Sequence, residues 1–355
     1  MSILDRYLFR VFLRSYFMFF FSMLGLYIVI DISANVDEFS EDGVSTIGLL
    51  LRMARYYALH SFDYFGRLSP IITQMAAMYA LADLRRHNEI IPILAAGVPA
   101  RRALLPIIFG VLFVVALGTA NREMVLPYYS EFLQRSHDDV DGKNQLAVGS
   151  RIDVDQMLLR AERGYREGQR LEDVKVTMPD LQEVTAVKAT FTKSSEGKPG
   201  IVLEQPNPVD LPESEKVKQL PGGKLFIATG LTFGEMIRNN GWTRFASGLE
   251  LVEELGKPQV SNPQEIRAMI HNRIMHPVAN IVIVLLGIPF VLSWERRKFF
   301  VSLLISMLLS ASYFVLDAVS TYLAGFGYFD PMFAAWLPIF IFLPVAASLS
   351  HRIGT

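Results

Sequence analysis

The chain contains no cysteine. That excludes disulfides, thiolate metal sites and cysteine nucleophiles. Charge is also scarce: 19% of the 355 residues are Asp, Glu, Lys or Arg, against about 25% in ordinary soluble domains. Catalytic signatures are missing as well. No G-x-x-x-x-G-K-[ST] phosphate loop occurs, and Gly197-Lys198 and Gly256-Lys257 lack its spacing. There is no H-E-x-x-H pair. His271 and His276 stand five apart and fall poorly on one helix face, so no metal site is expected. Serines and aspartates occur without a positioned histidine. The chain is therefore not expected to be an enzyme, to carry a cofactor or to bind nucleic acid.

What the sequence has is apolar length. Mean hydropathy is +0.31, and hydrophobic residues make up 51%. They concentrate in residues 11–127 and 274–350. A bilayer core about 30 Å thick takes about 20 apolar residues as a helix. Six segments approach this: about 11–31, 65–84, 103–126, 274–293, 299–324 and 331–350. Pro106, Pro277, Pro289, Pro338 and Pro344 lie inside these runs, which neighbouring helices can tolerate. Arg6, Arg10 and Arg14 resemble a leader's basic region. However, these first residues alternate apolar and basic at helical spacing, so the first segment is expected to be a retained span.

Basic residues set the orientation. With six spans, Arg6, Arg10, Arg14, Arg85, Arg86, Arg101, Arg102, Arg296, Arg297, Lys298 and Arg352 share one side. Residues 31–46 hold five acids and no Lys or Arg, and residues 324–330 hold only Asp330. Both termini are thus expected in the cytoplasm, and the segment between the third and fourth spans outside it.

That segment, residues 128–265, reads like soluble protein. Strands are expected at Ile152–Ala161, Leu171–Thr177, Val184–Thr192, Ile201–Glu204 and Lys224–Leu231. Turns are expected at Arg163-Gly164, Gly197-Lys198-Pro199-Gly200 and Pro221-Gly222-Gly223. These imply a small open sandwich or roll, with a C-terminal helix near Ser247–Leu255. The domains run 1–127, 128–265 and 266–355.

Before the second span, Ile47, Leu50, Leu51, Ala54, Ala58, Ser61 and Phe65 form an apolar stripe. Arg52, Tyr56, His60, Asp63 and Arg67 fall mostly opposite. Two readings stand: an amphipathic helix at the membrane surface, or one packed on the soluble domain. Ionisable residues inside apolar spans are costly. Asp317 lies mid-span, Asn121, Arg122 and Glu123 lie near the end of the third, and Asp31 closes the first. Asp317 either hydrogen-bonds a neighbouring helix or lines a substrate path.

Residues 83–102 form an elbow with a short apolar helix. Asn88 is a candidate N-cap, Glu89 suits a helix N-terminus, and Gly97 suits the position after its end. An exposed apolar helix needs a cover, so docking on a partner is the natural reading, with a lipid-surface helix as the alternative.

Four pieces now resemble one family, the LptF/LptG lipopolysaccharide export permeases. Leu4-Asp5-Arg6-Tyr7-Leu8 matches its opening L-D-R-Y. The elbow matches its R-x-x-E-[LI]-x…A-[AS]-G. Arg273 through Pro289 is similar to its fourth span, and Tyr313 to Asp317 to its fifth. The resemblance implies an α-helical membrane protein with six transmembrane helices and an inserted periplasmic β-rich, jellyroll-like domain. It implies a transport subunit that extracts lipopolysaccharide from the inner membrane toward a periplasmic bridge protein. Its expected partners are a second LptF/LptG-type permease, a dimeric cytoplasmic ABC ATPase and a single-span LptC-type subunit. The coupling helix, about 84–97, would meet the ATPase through Glu89, flanked by Arg86, Ala95 and Gly97.

Two positions depart from the family. Pro92 removes a backbone donor inside the coupling helix, so a kink or a later start is expected. Asp31 stands where some members carry a basic residue suited to phosphate. Arg52, Arg55, Arg67 and Arg122 are the basic substitutes, and with Asp31 and Asp317 they make up the candidate substrate path. Two other classes compete with transport: a sensory or mechanotransmitting membrane protein with a ligand-binding outer domain, and a lipid enzyme, which the absent catalytic set disfavours.

Overall fold

The computed structural model describes residues 3–39, 45–135, 137–139, 145–153, 155–180, 182–193, 199–208, 217–238, 241–257, 260, 262–293 and 299–351. Glu41, Asp42, Gly197, Lys198, Arg296, Arg297, Lys298 and Arg352, all used in the readings above, lie outside these residues. The chain divides into two compact units. The first is Met1–Tyr129, Ala246–Leu255 and Asn262–Thr355; the second is Ser130–Phe245 and Gly256–Ser261.

The first unit is helical. Its elements are α1 (Ile3–Asn35), a 3₁₀ turn (Val36–Phe39), α2 (Thr46–Arg86), α3 (Ile90–Ala95) and α4 (Ala100–Ala120). α4 runs on through a π-turn (Asn121–Val125) into α5 (Leu126–Tyr128). After the second unit come α9 (Gly248–Leu255), α10 (Pro263–Ser293), α11 (Phe299–Gly325) and α12 (Pro331–His351).

Among the described residues five stretches are long and apolar enough to cross a membrane: Ile3–Phe39, Leu104–Tyr128, Pro263–Phe290, Val301–Gly325 and Pro331–Leu349. The sixth expected span, in α2, is not among them. Its Ser69, Thr73 and Gln74 lower its hydropathy, and all three are buried. Tyr16 Oη lies 3.1 Å from Ser69 Oγ. Gln74 Nε2 donates to Ser306 Oγ at 2.5 Å, and Ser310 Oγ donates to Gln74 Oε1 at 2.8 Å. These polar groups are paired inside the helical bundle.

α2 is one helix of 41 residues, about 60 Å at about 1.5 Å per residue. In its first half the apolar stripe is exposed on the helical unit. Ile47, Leu50 and Leu51 are 72%, 60% and 66% exposed. The polar side faces inward instead, with Tyr56, His60 and Asp63 buried. Tyr56 and His60 join an aromatic cluster with Phe39, Tyr57 and Tyr64.

The membrane core gathers Phe12 and Tyr16 of α1, Ile72 and Ala76 of α2, Ile107 and Val111 of α4 and Val284 of α10. α1 lies so close to α4 that a Cβ at Gly110 would collide with the Phe12 ring. A second cluster joins α10, α11 and α12 through Ile283, Tyr313 and Phe342.

The second unit opens with α6 (Ser130–Leu133) and closes with α7 (Phe233–Met236) and α8 (Trp242–Phe245). Between them run β1 (Leu146–Ala147), β2 (Ser150–Ile152), β3 (Leu158–Arg160), β4 (Arg163–Tyr165) and β5 (Arg170–Thr177). They are followed by β6 (Glu183–Lys193), β7 (Pro199–Asn207), β8 (Val217–Leu220) and β9 (Lys224–Ala228). The sheet order is β1-β4-β5-β6-β7-β9-β8, with β3 also on β5 and β2 on β3. All pairs are antiparallel.

Three expectations change here. The run 152–161 is a hairpin, β2–β3, not one strand. Arg163-Gly164 is not a turn but strand β4, paired with Glu172 and Leu171 of β5. The helix expected to end the insert, now α9, belongs to the first unit. The turn at Pro221-Gly222-Gly223 forms as expected between β8 and β9.

One feature of the sheet was not visible in the sequence. Asp173 and Gln205 have left-handed backbones, φ 53° and 54°. By register they flank Val187, on one line across β5, β6 and β7. On one side of this line Leu171, Ala189 and Leu203 are buried; on the other Val174, Ala186 and Pro206 are. The two-residue alternation therefore slips by one across three strands at once, which curls the sheet around its core.

α7 carries a capping box between Thr232 and Glu235. Burial alone would raise the Glu235 carboxyl. Hydrogen bonds from Lys257 and Thr232 outweigh it and hold that carboxyl below its ordinary range.

The α1–α4 contact gives a test. Gly110→Ala should cost about 1–3 kcal/mol by overpacking, read as a lower thermal midpoint in detergent. Phe12→Leu should recover part of that loss in the Gly110→Ala background. An unchanged midpoint for Gly110→Ala would show that the close approach is absent.

Candidate functional site

The elbow is built from two helix ends. α2 closes around Asn88, whose backbone is left-handed at φ 60°. Asn88 N–H donates to Arg85 O at 3.1 Å and Glu89 N–H to Leu84 O at 2.9 Å. These bonds use carbonyls that a helix end leaves open, and asparagine follows glycine in tolerating this conformation. Asn88 therefore ends α2 and does not cap α3, a correction to the sequence reading.

Glu89 takes the capping position: its carbonyl accepts from Ile93 N–H at 3.4 Å. Pro92 is then the third residue of α3, where a backbone N–H has no helical partner to lose. Of the two expectations for Pro92, the kink does not arise and the later start, at Ile90, does. α3 closes as α2 does, on Gly97 at φ 80° with Val98 N–H donating to Ile93 O at 3.3 Å. The helix expected over about 84–97 is thus the end of α2, the six-residue α3 and two turns. Arg86, Pro92, Ala95, Ala96 and Gly97 are exposed. Glu89 also accepts a hydrogen bond from Tyr7 Oη at 2.8 Å.

At the other end of α2, Asp31 of α1 accepts from Tyr57 Oη at 2.7 Å and from Asn35 Nδ2 at 3.2 Å. The carboxylate ties α1 to α2. Arg67 pairs with Asp63 one turn before it, and its guanidinium lies 5.3 Å from the Tyr64 ring centre. Arg55 is exposed and Arg52 half-buried on the same stretch of α2.

The structure brings Arg122 and Asp317, 195 positions apart in sequence (317 minus 122), within electrostatic reach of each other. The π-turn supplies the reason. One extra residue in the turn rotates the following side chains, and both Arg122 and Glu123 sit in it. Asp317 Oδ2 accepts from Asn272 Nδ2 at a long 3.4 Å. A cleft of about 480 Å³ opens beside it, lined by Glu265, Asn272, Asp317, Thr321, Tyr322 and Phe326 among others. Next to this, Glu123 Oε2 accepts from Gly248 N–H at 2.6 Å, at the start of α9. Arg273 lies 3.6 Å from Glu123 and donates to Ala246 O at 2.6 Å. The candidates thus fall into three groups: the elbow, the Asp31–Arg67 region of α1 and α2, and the Arg122–Asp317 cluster.

A bundle of apolar helices, an exposed elbow and an inserted sheet now stand together. The sequence matches the family described as lipopolysaccharide export system permease LptF/LptG over residues 6–352. The chain belongs to the LptF/LptG family. No individually curated protein matches it. As an LptF/LptG permease it is a multi-pass inner-membrane protein of lipopolysaccharide export, a transport subunit and not an enzyme.

Sequence reasoning missed several members of these groups. Tyr7 stood inside the opening motif without a role. Tyr57 was passed over beside the charged stripe. Asn272 and Arg273 stood at the start of the fourth span, and only their charge or amide next to a long apolar run marked them.

Glu123 yields a second test. Glu123→Ala strips the acceptor from Gly248 and the charge facing Arg273. We expect a loss of about 1–3 kcal/mol, reduced because Glu123 is itself about a third exposed (side chain 35%). The measure is thermal midpoint together with faster protease cleavage within 246–255. Cleavage and midpoint equal to the parent would remove this tie from the structure.

Proposed function

We propose that this LptF/LptG permease is one of two membrane halves of an exporter powered by a separate dimeric cytoplasmic ABC ATPase. The ATPase docks on the elbow, and both termini share its side of the membrane. The observation that carries the reading is the exposure of α3. A helix of six residues presenting Pro92 and Ala95 to solvent, with Ala96 in the turn after it, leaves apolar surface that a partner would cover. Glu89 at its start offers a carboxylate for a charge-assisted bond to a basic group, with Arg86 beside it.

The length of α2 supports the sixth crossing. At about 60 Å it is about twice the thickness of a bilayer core. Counting α2 as a span puts Arg6, Arg10, Arg14, Arg85, Arg86 and Arg102 on one side, as the positive-inside rule asks. The sheet unit, between the third and fourth spans, then lies in the periplasm. Lipopolysaccharide would leave the outer leaflet between the two permeases and pass to the sheet domains. The second permease, the single-span LptC-type subunit and the periplasmic bridge belong to this reading.

Asp31 takes a different part from the one its position suggested. Its bonds to Tyr57 and Asn35 suit a brace between α1 and α2 better than a headgroup site. Arg122 and Asp317, of opposite sign and near an open cleft, are the stronger candidates for the lipid's path.

Two experiments test this. Glu89→Arg sets like charges against each other at the elbow. It should weaken assembly with the ATPase about tenfold or more and stop export; normal assembly and export would sink the docking role. The absence of cysteine allows single-cysteine labelling in intact cells. A cysteine replacing Lys224 in the sheet should react with a membrane-impermeant maleimide, and one replacing Ala95 should not. The opposite pattern would invert the orientation.

A further inference from the structure

The opening Leu4-Asp5-Arg6-Tyr7 string has so far no function in transport. Tyr7 Oη donates to Glu89 Oε2 at 2.8 Å across 82 residues of sequence. α1 is a firm base for that donor. Two turns on, Phe12 and Tyr16 are fully buried, Phe12 against Gly110 of α4 and Tyr16 on Ser69 of α2. Glu89 is equally well set at its backbone, where its N–H closes α2 and its carbonyl opens α3. The carboxylate itself stands at the end of a long, half-buried side chain, beyond the hold of these backbone bonds.

We propose that Tyr7 is a positioning residue for Glu89: it holds one carboxylate oxygen and aims the other at the basic group of the docked ATPase. This deepens the docking reading above and rests on it. A carboxylate has several lone-pair sites on its two oxygens, so the tyrosine occupies one oxygen without blocking the second. Fixing the side chain before docking removes an ordering cost that would otherwise fall on binding. The same bond links the start of the first span to the elbow, so a displacement of α3 by the ATPase is passed to α1 directly as well as through α2.

Tyr7→Phe removes the hydroxyl and keeps the ring. The chain and its partner permease are placed in nanodiscs, and the ABC ATPase of the same cell is titrated onto four forms: unaltered, Tyr7→Phe, Glu89→Gln and both together. Tyr7→Phe should weaken binding about three- to tenfold, the range for losing one ordinary hydrogen bond, since solvent at this partly exposed site weakens the charged one. In the Glu89→Gln background it should change binding less than twofold, because the charge it positions is gone. Three outcomes overturn the proposal, each differently. Parent-like binding by Tyr7→Phe with weak binding by Glu89→Gln rejects Tyr7 and leaves the docking reading intact. An equal loss from Tyr7→Phe in both backgrounds makes the tyrosine a structural residue only. Parent-like binding by Glu89→Gln removes the docking reading itself, and the role of Tyr7 with it.

Discussion

A polar side chain within an apolar slab must face another helix, and that constraint fixes how α2 is turned. An unpaired amide or hydroxyl in hydrocarbon costs several kcal/mol. Ser69, Thr73 and Gln74 cannot all face lipid, so the helix presents them to α1 and α11. Gln74 meets Ser306 and Ser310 there, and a side chain at Gly287 of α10 would press on Gln74 and Ser306. The rotation set by these bonds runs the full length of a continuous helix. It dictates that Tyr56, His60 and Asp63 point inward and Ile47, Leu50 and Leu51 outward. It also dictates where the elbow leaves the bundle.

From that orientation the rest of the first unit follows. α1 packs on α2 through Tyr16, and Asp31 reaches Tyr57 only because Tyr57 sits on the inward side. α4 returns from the elbow and must pass α2 again; Asn121 marks the meeting, donating to Phe62 O at 2.8 Å. The π-turn starts at that same residue. Its irregular geometry is what lets Arg122 approach Asp317 and Glu123 approach Gly248, so the polar cluster depends on a local break in α4 and not only on which residues the sequence provides.

Much of this was readable from residue order, and the failures have definite causes. Apolar runs located α1, α4, α10, α11 and α12 because a span must be long and uncharged. The same criterion does not single out α2, whose polar residues are paired inside the bundle. Asn88 was assigned to the wrong helix because asparagine serves both as an N-cap and as a left-handed closing residue. Only the hydrogen bonds of Asn88 and Glu89 to Arg85 and Leu84 separate the two. Pro92 looked disruptive until the helix start moved to Ile90. In the sheet, β4 was hidden by Gly164, a turn signal that here sits in a strand. The one-residue slip through Asp173, Val187 and Gln205 has no signature in single strands, since it exists only across three of them. Glu89, Arg86, Ala95 and Gly97 lie together at the elbow because they are neighbours in sequence. Arg122 and Asp317 were each suspected singly for their charge; that they lie within reach of each other needed the fold.

Irregular points along α2 and α4 matter for how a push at the elbow would travel. A straight helix of 41 residues transmits displacement along its axis with little loss, since every turn is braced by backbone bonds. Pro70 interrupts that ladder, and the carbonyl it leaves open belongs to Gly66, four residues before it. Gly66 lies beside Asn121, where α4 has its own π-turn. Helices bend most readily at prolines and π-turns, so the two soft points of neighbouring helices coincide. Movement of the elbow segment of α2 can then swing that half about Pro70 while the half bearing Asp63 and Tyr57 stays braced to Asp31. The α4 side would swing about the π-turn, which carries Arg122 and Glu123. Such a bend changes the Arg122–Asp317 separation and the Glu123–Gly248 bond first, because both are anchored on the turn itself.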